Sequence, residues 1–128
     1  MADRDTVQKL IQAFALHGDA PALVAVAGDT VATTSFSQMV GEIDAIANRL
    51  AGDGLGPGDA VAIYAAPGPA WITACFGILA AGAFAVTLDA GLDGDALAEQ
   101  LKDGKCRAVF TTADLKAVLD ACGGPDGA

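Results

Sequence analysis

The sequence is short of positive charge. Seven Lys and Arg stand against sixteen Asp and Glu, a formal net charge of −9. The basic residues are scattered and build no patch. Nucleic acid and anionic membrane surfaces both recruit Lys and Arg, so neither is expected as a partner. The acidity reads as a solvated surface that keeps the chain soluble. Histidine is scarcer still, with His17 alone. The three cysteines, Cys75, Cys106 and Cys122, are odd in number and show no Cys-x-x-Cys spacing. That pattern fits reduced thiols in a cytoplasmic protein. A catalytic thiol needs a nearby base, and His17 is distant in sequence, so the cysteines read as small buried hydrophobes.

A secretory leader is not visible either. Met1 to Val7 is polar and charged, and no apolar core follows. One stretch, Val61 to Leu88, carries no charge at all. A spanning helix needs about 20 consecutive apolar residues. Here Pro67, Gly68, Pro69 and Gly82 cut the run into pieces of strand and helix length. A strand, helix, strand unit inside a soluble sheet protein is therefore expected, with no membrane span.

What is present is a small-residue apolar chain: 53% hydrophobic, only 5% aromatic, over 128 residues. Disorder requires low hydrophobicity, so one compact α/β domain with a real core is expected. Its extent reads as residues 1–122, with 123–128 a Gly/Pro-rich flexible tail.

The periodicities order the elements. Val7, Leu10, Ile11 and Phe14 have helical spacing over Thr6 to Leu16. Asp5 is placed to cap that helix, and His17 to sit in its last turn, where the helix dipole favours a positive ring. Pro21 to Val26 and Val31 to Ser35 read as a hairpin closed by Ala27-Gly28-Asp29. Ser35-Phe36-Ser37-Gln38 fits a capping box. The helix it opens runs to about Ala51, with Met39, Val40, Ile43, Ile46, Ala47 and Leu50 on one face. Gly52 and Gly54 suit its C-terminal end.

Gly56-Pro57-Gly58-Asp59 is a turn by composition. It feeds an apolar run, Ala60 to Tyr64, of the kind buried on both faces in a parallel sheet. Pro69 suits a first helical turn. The helix Ala70 to Ala81 is apolar nearly all round and stops at Gly82. Phe84 to Leu88 is the next strand. Asp93 or Gly94 opens a short helix with Leu97 and Leu101. Arg107 to Thr111 is a third strand, and Thr112 is placed to cap a last helix, Ala113 to Ala121. From Ala60 the order is β-α-β-α-β-α, which calls for a parallel sheet with right-handed crossovers and helices on both faces.

These segments, taken in order, resemble the start of the adenylate-forming superfamily, which includes acyl-CoA synthetases, peptide synthetase adenylation domains and luciferases. Ser35-Phe36-Ser37-Gln38-Met39 is similar to its Thr-Tyr-x-Glu-Leu helix start. Gly54-Leu55-Gly56-Pro57-Gly58-Asp59-Ala60-Val61-Ala62-Ile63 looks like its Gly-Val-x-x-Gly-Asp-x-Val-Ala-Ile. Pro67-Gly68-Pro69-Ala70-Trp71 resembles its Pro-Asn-Ser-x-Glu-Trp turn, and Gly77 to Ala83 its Ala-x-x-Lys-Ala-Gly-Ala. Thr87-Leu88-Asp89-Ala90 departs from the usual Pro-Leu-Asp-Pro, Gly68 from the usual Asn, and Ala80 from the usual Lys.

The resemblance implies the N-terminal subdomain of an enzyme that joins a carboxylate to AMP and passes the acyl group to a thiol. ATP, Mg²⁺ and coenzyme A are implied for such an enzyme. Phosphate binding needs a Gly/Ser/Thr-rich loop with a Lys. Gly104-Lys105 comes closest, behind Asp103, and makes no cradle. No catalytic, cofactor-binding or metal-ligating residue is therefore assigned, and the chain alone is expected to be inactive. Its expected partner is the remainder of the ligase, with self-association through the surfaces left uncovered. A stand-alone module that binds or oligomerises without catalysis is the alternative. Asp89, past a parallel strand, would suit a receiver-type phosphoacceptor only with an acidic pair and a later Lys, which are not evident. Trp71, Phe76 and Phe84 read as core residues before they read as an acyl pocket.

Overall fold

The computed structural model describes residues 4–27, 29–112, 115, 116 and 118. Nine elements follow in order: α1 (Arg4–Ala15), β1 (Pro21–Ala27), β2 (Thr30–Ser35), α2 (Phe36–Gly52), β3 (Ala60–Tyr64), α3 (Pro69–Ala80), β4 (Phe84–Leu88), α4 (Gly94–Asp103) and β5 (Cys106–Thr111). The β1–β2 hairpin is antiparallel, and Ala27 pairs with Thr30. The second sheet is parallel, in the order β4-β3-β5. The expected α/β architecture is present.

The capping box forms as expected. The Gln38 amide donates to Ser35 Oγ at 3.1 Å, and the Ser35 amide donates to Gln38 Oε1 at 2.9 Å. Two free N–H groups at the start of α2 are thereby satisfied. Its far end closes on Gly54, whose φ of +80° brings the Leu55 amide back to the Leu50 carbonyl at 2.9 Å. The Leu50 and Leu55 side chains then meet in the core, the usual partner contact of this helix stop. Gly82, at φ +83°, ends α3 in the same way, with the Ala83 amide donating to the Ile78 carbonyl at 3.2 Å.

The central strand shows why its run is apolar throughout. Val61 and Ile63 point to one face, against Leu50, Ala74 and Ile78 of α2 and α3. Ala62 and Tyr64 point to the other, against Leu97 and Leu101 of α4. All four residues of β3 from Val61 to Tyr64 are buried. The result is three layers, α2 and α3, then the sheet, then α4. A third cluster lies behind α2 and α3, where Ile11 of α1 meets Met39, Ile43 and Ala80. That double coverage accounts for an α3 that is apolar all round. Thr73, its one buried polar side chain, donates to the Pro69 carbonyl at 2.9 Å.

Helices α2 and α3 approach closely at Gly77. A Cβ there would lie 2.6 Å from Ile46 Cβ, closer still to Ile46 Cγ2, and 3.4 Å from the Ile43 carbonyl oxygen. Only glycine fits.

Three expectations are corrected. Helix α1 begins at Arg4, so Asp5 lies inside its first turn instead of capping it. It also ends at Ala15, which leaves His17 in the turn that follows. Sequence periodicity overran there because short turns replace the helix, with Gly18 donating to the Ala15 carbonyl at 3.3 Å. Finally, β5 begins at Cys106, one residue early. The expected helix after Thr112 shows helical backbone at Leu115, Lys116 and Val118, and the Lys116 amide donates to the Thr112 carbonyl at 2.9 Å. The rest of that helix, the 123–128 tail, Cys122 and Gly28 lie outside the described residues.

Candidate functional site

In an open parallel sheet, ligands bind outside the carboxyl ends of the strands, where successive crossovers diverge. Here that place is beyond Tyr64 and Thr111, because β3 leads to β4 on one side and β5 pairs on the other. The polar groups there are committed to structure. Thr111 Oγ1 donates to the Tyr64 carbonyl at 2.7 Å, locking β5 to β3. The buried Tyr64 phenol donates to the Leu92 carbonyl at 3.1 Å, fixing the loop between β4 and α4. Asp89 Oδ1 accepts the Gly91 amide at 2.8 Å, and Asp93 Oδ1 accepts the Ala96 amide at 2.9 Å as the cap of α4. Asp89 is exposed, in a local turn. That geometry fits a turn residue.

The aromatic residues separate. Trp71 is half-buried against the α3 side of the sheet. Phe76 packs edge-on to Phe14 at 5.5 Å between ring centroids, in the cluster around α1. Phe84 is 64% exposed at the start of edge strand β4. The structure brings none of these three together into one pocket wall. Cys75 is half-buried in the cluster that holds Trp71, and Cys106 is buried in the one beneath α4. Burial pushes both thiols up from their ordinary range, which makes them poorer nucleophiles. The His17 and Phe36 rings meet at a tilt of 38° with centroids 4.9 Å apart.

The best-connected charged group stands at the opposite end of the sheet. Asp59 Oδ2 accepts the Gly56 amide at 2.9 Å, and Oδ1 accepts from Arg107 Nη1 at 3.0 Å. The Gly56 hydrogen bond, then Arg107, holds the Asp59 carboxyl below its ordinary value. Sequence reasoning identified the turn but not the partner, which is 48 residues away. The only sequence signal was Arg107, a lone cation opening an apolar strand.

Gly104-Lys105, the pair nearest in sequence to a phosphate loop, does not form one. Lys105 lies just before β5, at the amino end of the sheet, with φ +53°. Its amide donates to the Lys102 carbonyl at 3.1 Å, and the Gly104 amide to the Gln100 carbonyl at 2.9 Å. These donors close helix α4 and do not cradle phosphate. Among the described residues, no three His, Cys, Asp or Glu side chains converge as a metal site. No described helix is long and apolar enough to cross a membrane.

Comparison with known proteins gives the family. The family model for AMP-binding enzyme matches residues 11–126. The fatty acid AMP ligase of Legionella pneumophila is 27% identical with a TM-score of 0.75, over 84% of this chain and 20% of that one. A fatty acyl-adenylate ligase of L. pneumophila, solved with acyl adenylate and pyrophosphate, is 25% identical with a TM-score of 0.81, over 93% and 22%. The acyl-CoA synthetase of Brucella canis, at 22% identity and a TM-score of 0.77 over 84% and 20%, shares the fold. No curated protein sequence matches. The chain thus spans about a fifth of the length of these solved ligases. It belongs to the AMP-binding enzyme family, and its fold is that of the N-terminal subdomain of adenylate-forming enzymes.

Proposed function

We propose that this member of the AMP-binding enzyme family is the N-terminal part of an ATP-dependent carboxylate-activating ligase of the acyl-CoA synthetase kind. The observation that carries the reading is the family match over residues 11–126, joined to a fold shared with ligases about four times as long. In this reading the complete enzyme forms an acyl adenylate and then a thioester. ATP, Mg²⁺ and coenzyme A bind to the remainder. The residues described above supply scaffold: the α2–α3 layer, the sheet and the β3–β5 lock at Thr111.

It follows that the 128-residue chain neither binds Mg-ATP tightly nor exchanges pyrophosphate into ATP. A calorimetric titration and an exchange assay with a panel of carboxylates test this. Tight ATP binding by the isolated chain would overturn the reading of an absent nucleotide site. A coding frame that continues beyond Ala128 into a Ser/Thr/Gly-rich loop ending in Pro-Lys-Gly supports the ligase reading. A stop codon there favours a non-catalytic binding or oligomerisation module instead.

The reading also carries self-association. Val24, Val26 and Val31 are 59%, 69% and 61% exposed on the outward face of the hairpin, and Phe84 stands exposed on the β4 edge. An uncharged strand edge and an apolar sheet face both invite a partner. Light scattering of the isolated chain at rising concentration is expected to show growing mass, and a monomer mass constant across the range counts against it.

A further inference from the structure

We draw no further inference here: the strongest candidate, the uncovered apolar face of the β1–β2 hairpin at Val24, Val26 and Val31 together with the free edge of β4 at Phe84, carries nothing beyond the self-association already proposed, because nothing in the structure shows what covers it.

Discussion

Replacing Gly77 by alanine tests the packing of α2 on α3. On propensity alone the change should help, since alanine is favoured over glycine by about 1 kcal/mol inside a helix. The structure predicts the opposite sign. The added Cβ would lie 2.6 Å from Ile46 Cβ, about 1 Å inside ordinary carbon–carbon contact. The obstacle is a β-branched side chain next to its own backbone, so it has little freedom to turn away. The helices must part, and Ile43 and Ile78, both fully buried, move with them. Overpacking of this kind costs ~1–3 kcal/mol. A contact of 2.6 Å to an atom fixed on its own backbone belongs in the upper part of that range, ~2–3 kcal/mol, so against the propensity gain of ~1 kcal/mol Gly77→Ala should lose ~1–2 kcal/mol. The control is Gly41→Ala in α2, where a new Cβ meets nothing within 4 Å, so the same change should gain ~0.5–1 kcal/mol. Urea unfolding reads both. With a slope of ~1–3 kcal/mol per M, the midpoints should move in opposite directions by several tenths of a molar unit. Adding Ile46→Ala to Gly77→Ala removes the Ile46 Cγ2 contact but leaves its Cβ at 2.6 Å, so the pair should cost only somewhat less than the two single losses together. A Gly77→Ala protein as stable as the parent, with an unchanged slope, would refute the close-approach argument.

Two further outcomes follow from the amino end of the sheet. Asp59 titrates lower folded than its ordinary value. Its contribution is therefore complete above that ordinary value of ~3.9 and is lost as pH falls through the lowered folded value. The stability gap between the parent and Asp59→Asn should be widest above pH ~5 and narrow as pH falls below the ordinary carboxylate range, and a gap that does not change with pH would count against the Gly56 and Arg107 contacts. Lys105 holds φ +53° without being glycine, a conformation that costs an L-residue about 1–2 kcal/mol. Lys105→Gly should therefore raise the urea midpoint by the equivalent of ~0.5–1 kcal/mol, since glycine's greater backbone freedom when unfolded takes part of the gain back. A lowered midpoint would show that the Lys105 side chain holds a compensating contact.

How legible each feature was in the sequence follows the range of the interaction behind it. The capping box joins residues three apart, and the glycine stops at Gly54 and Gly82 act within one turn, so composition and spacing were enough. The double burial of β3 was legible because an uncharged, non-alternating run has no solvent face. The end of α1 before His17 was not, because Leu16 extends the apolar pattern of α1 although it is 87% exposed. The Ile46–Gly77 approach was hidden as well. Glycine inside a helical pattern signals only lost propensity until the facing helix is known.

Asp59 shows how a feature that identifies the family can be explained by structure alone. In sequence, Gly56 to Asp59 is a short turn of the sort found in many loops. In the fold, the Asp59 carboxylate binds the Gly56 amide and Arg107, and its carbonyl accepts the Phe84 amide at 2.8 Å. One residue thus ties together the entries to β3, β4 and β5. That role fixes the sequence around it on structural grounds alone. Sites in open parallel sheets lie at the other end, past the carboxyl ends of the strands. There the chain departs from the pattern it resembles at Thr87 and Ala90, and Tyr64, Asp89 and Thr111 bond to nearby backbone groups. The Gly56 to Asp59 feature of the family therefore builds the sheet, and it sits at the end opposite the one where open parallel sheets bind ligands.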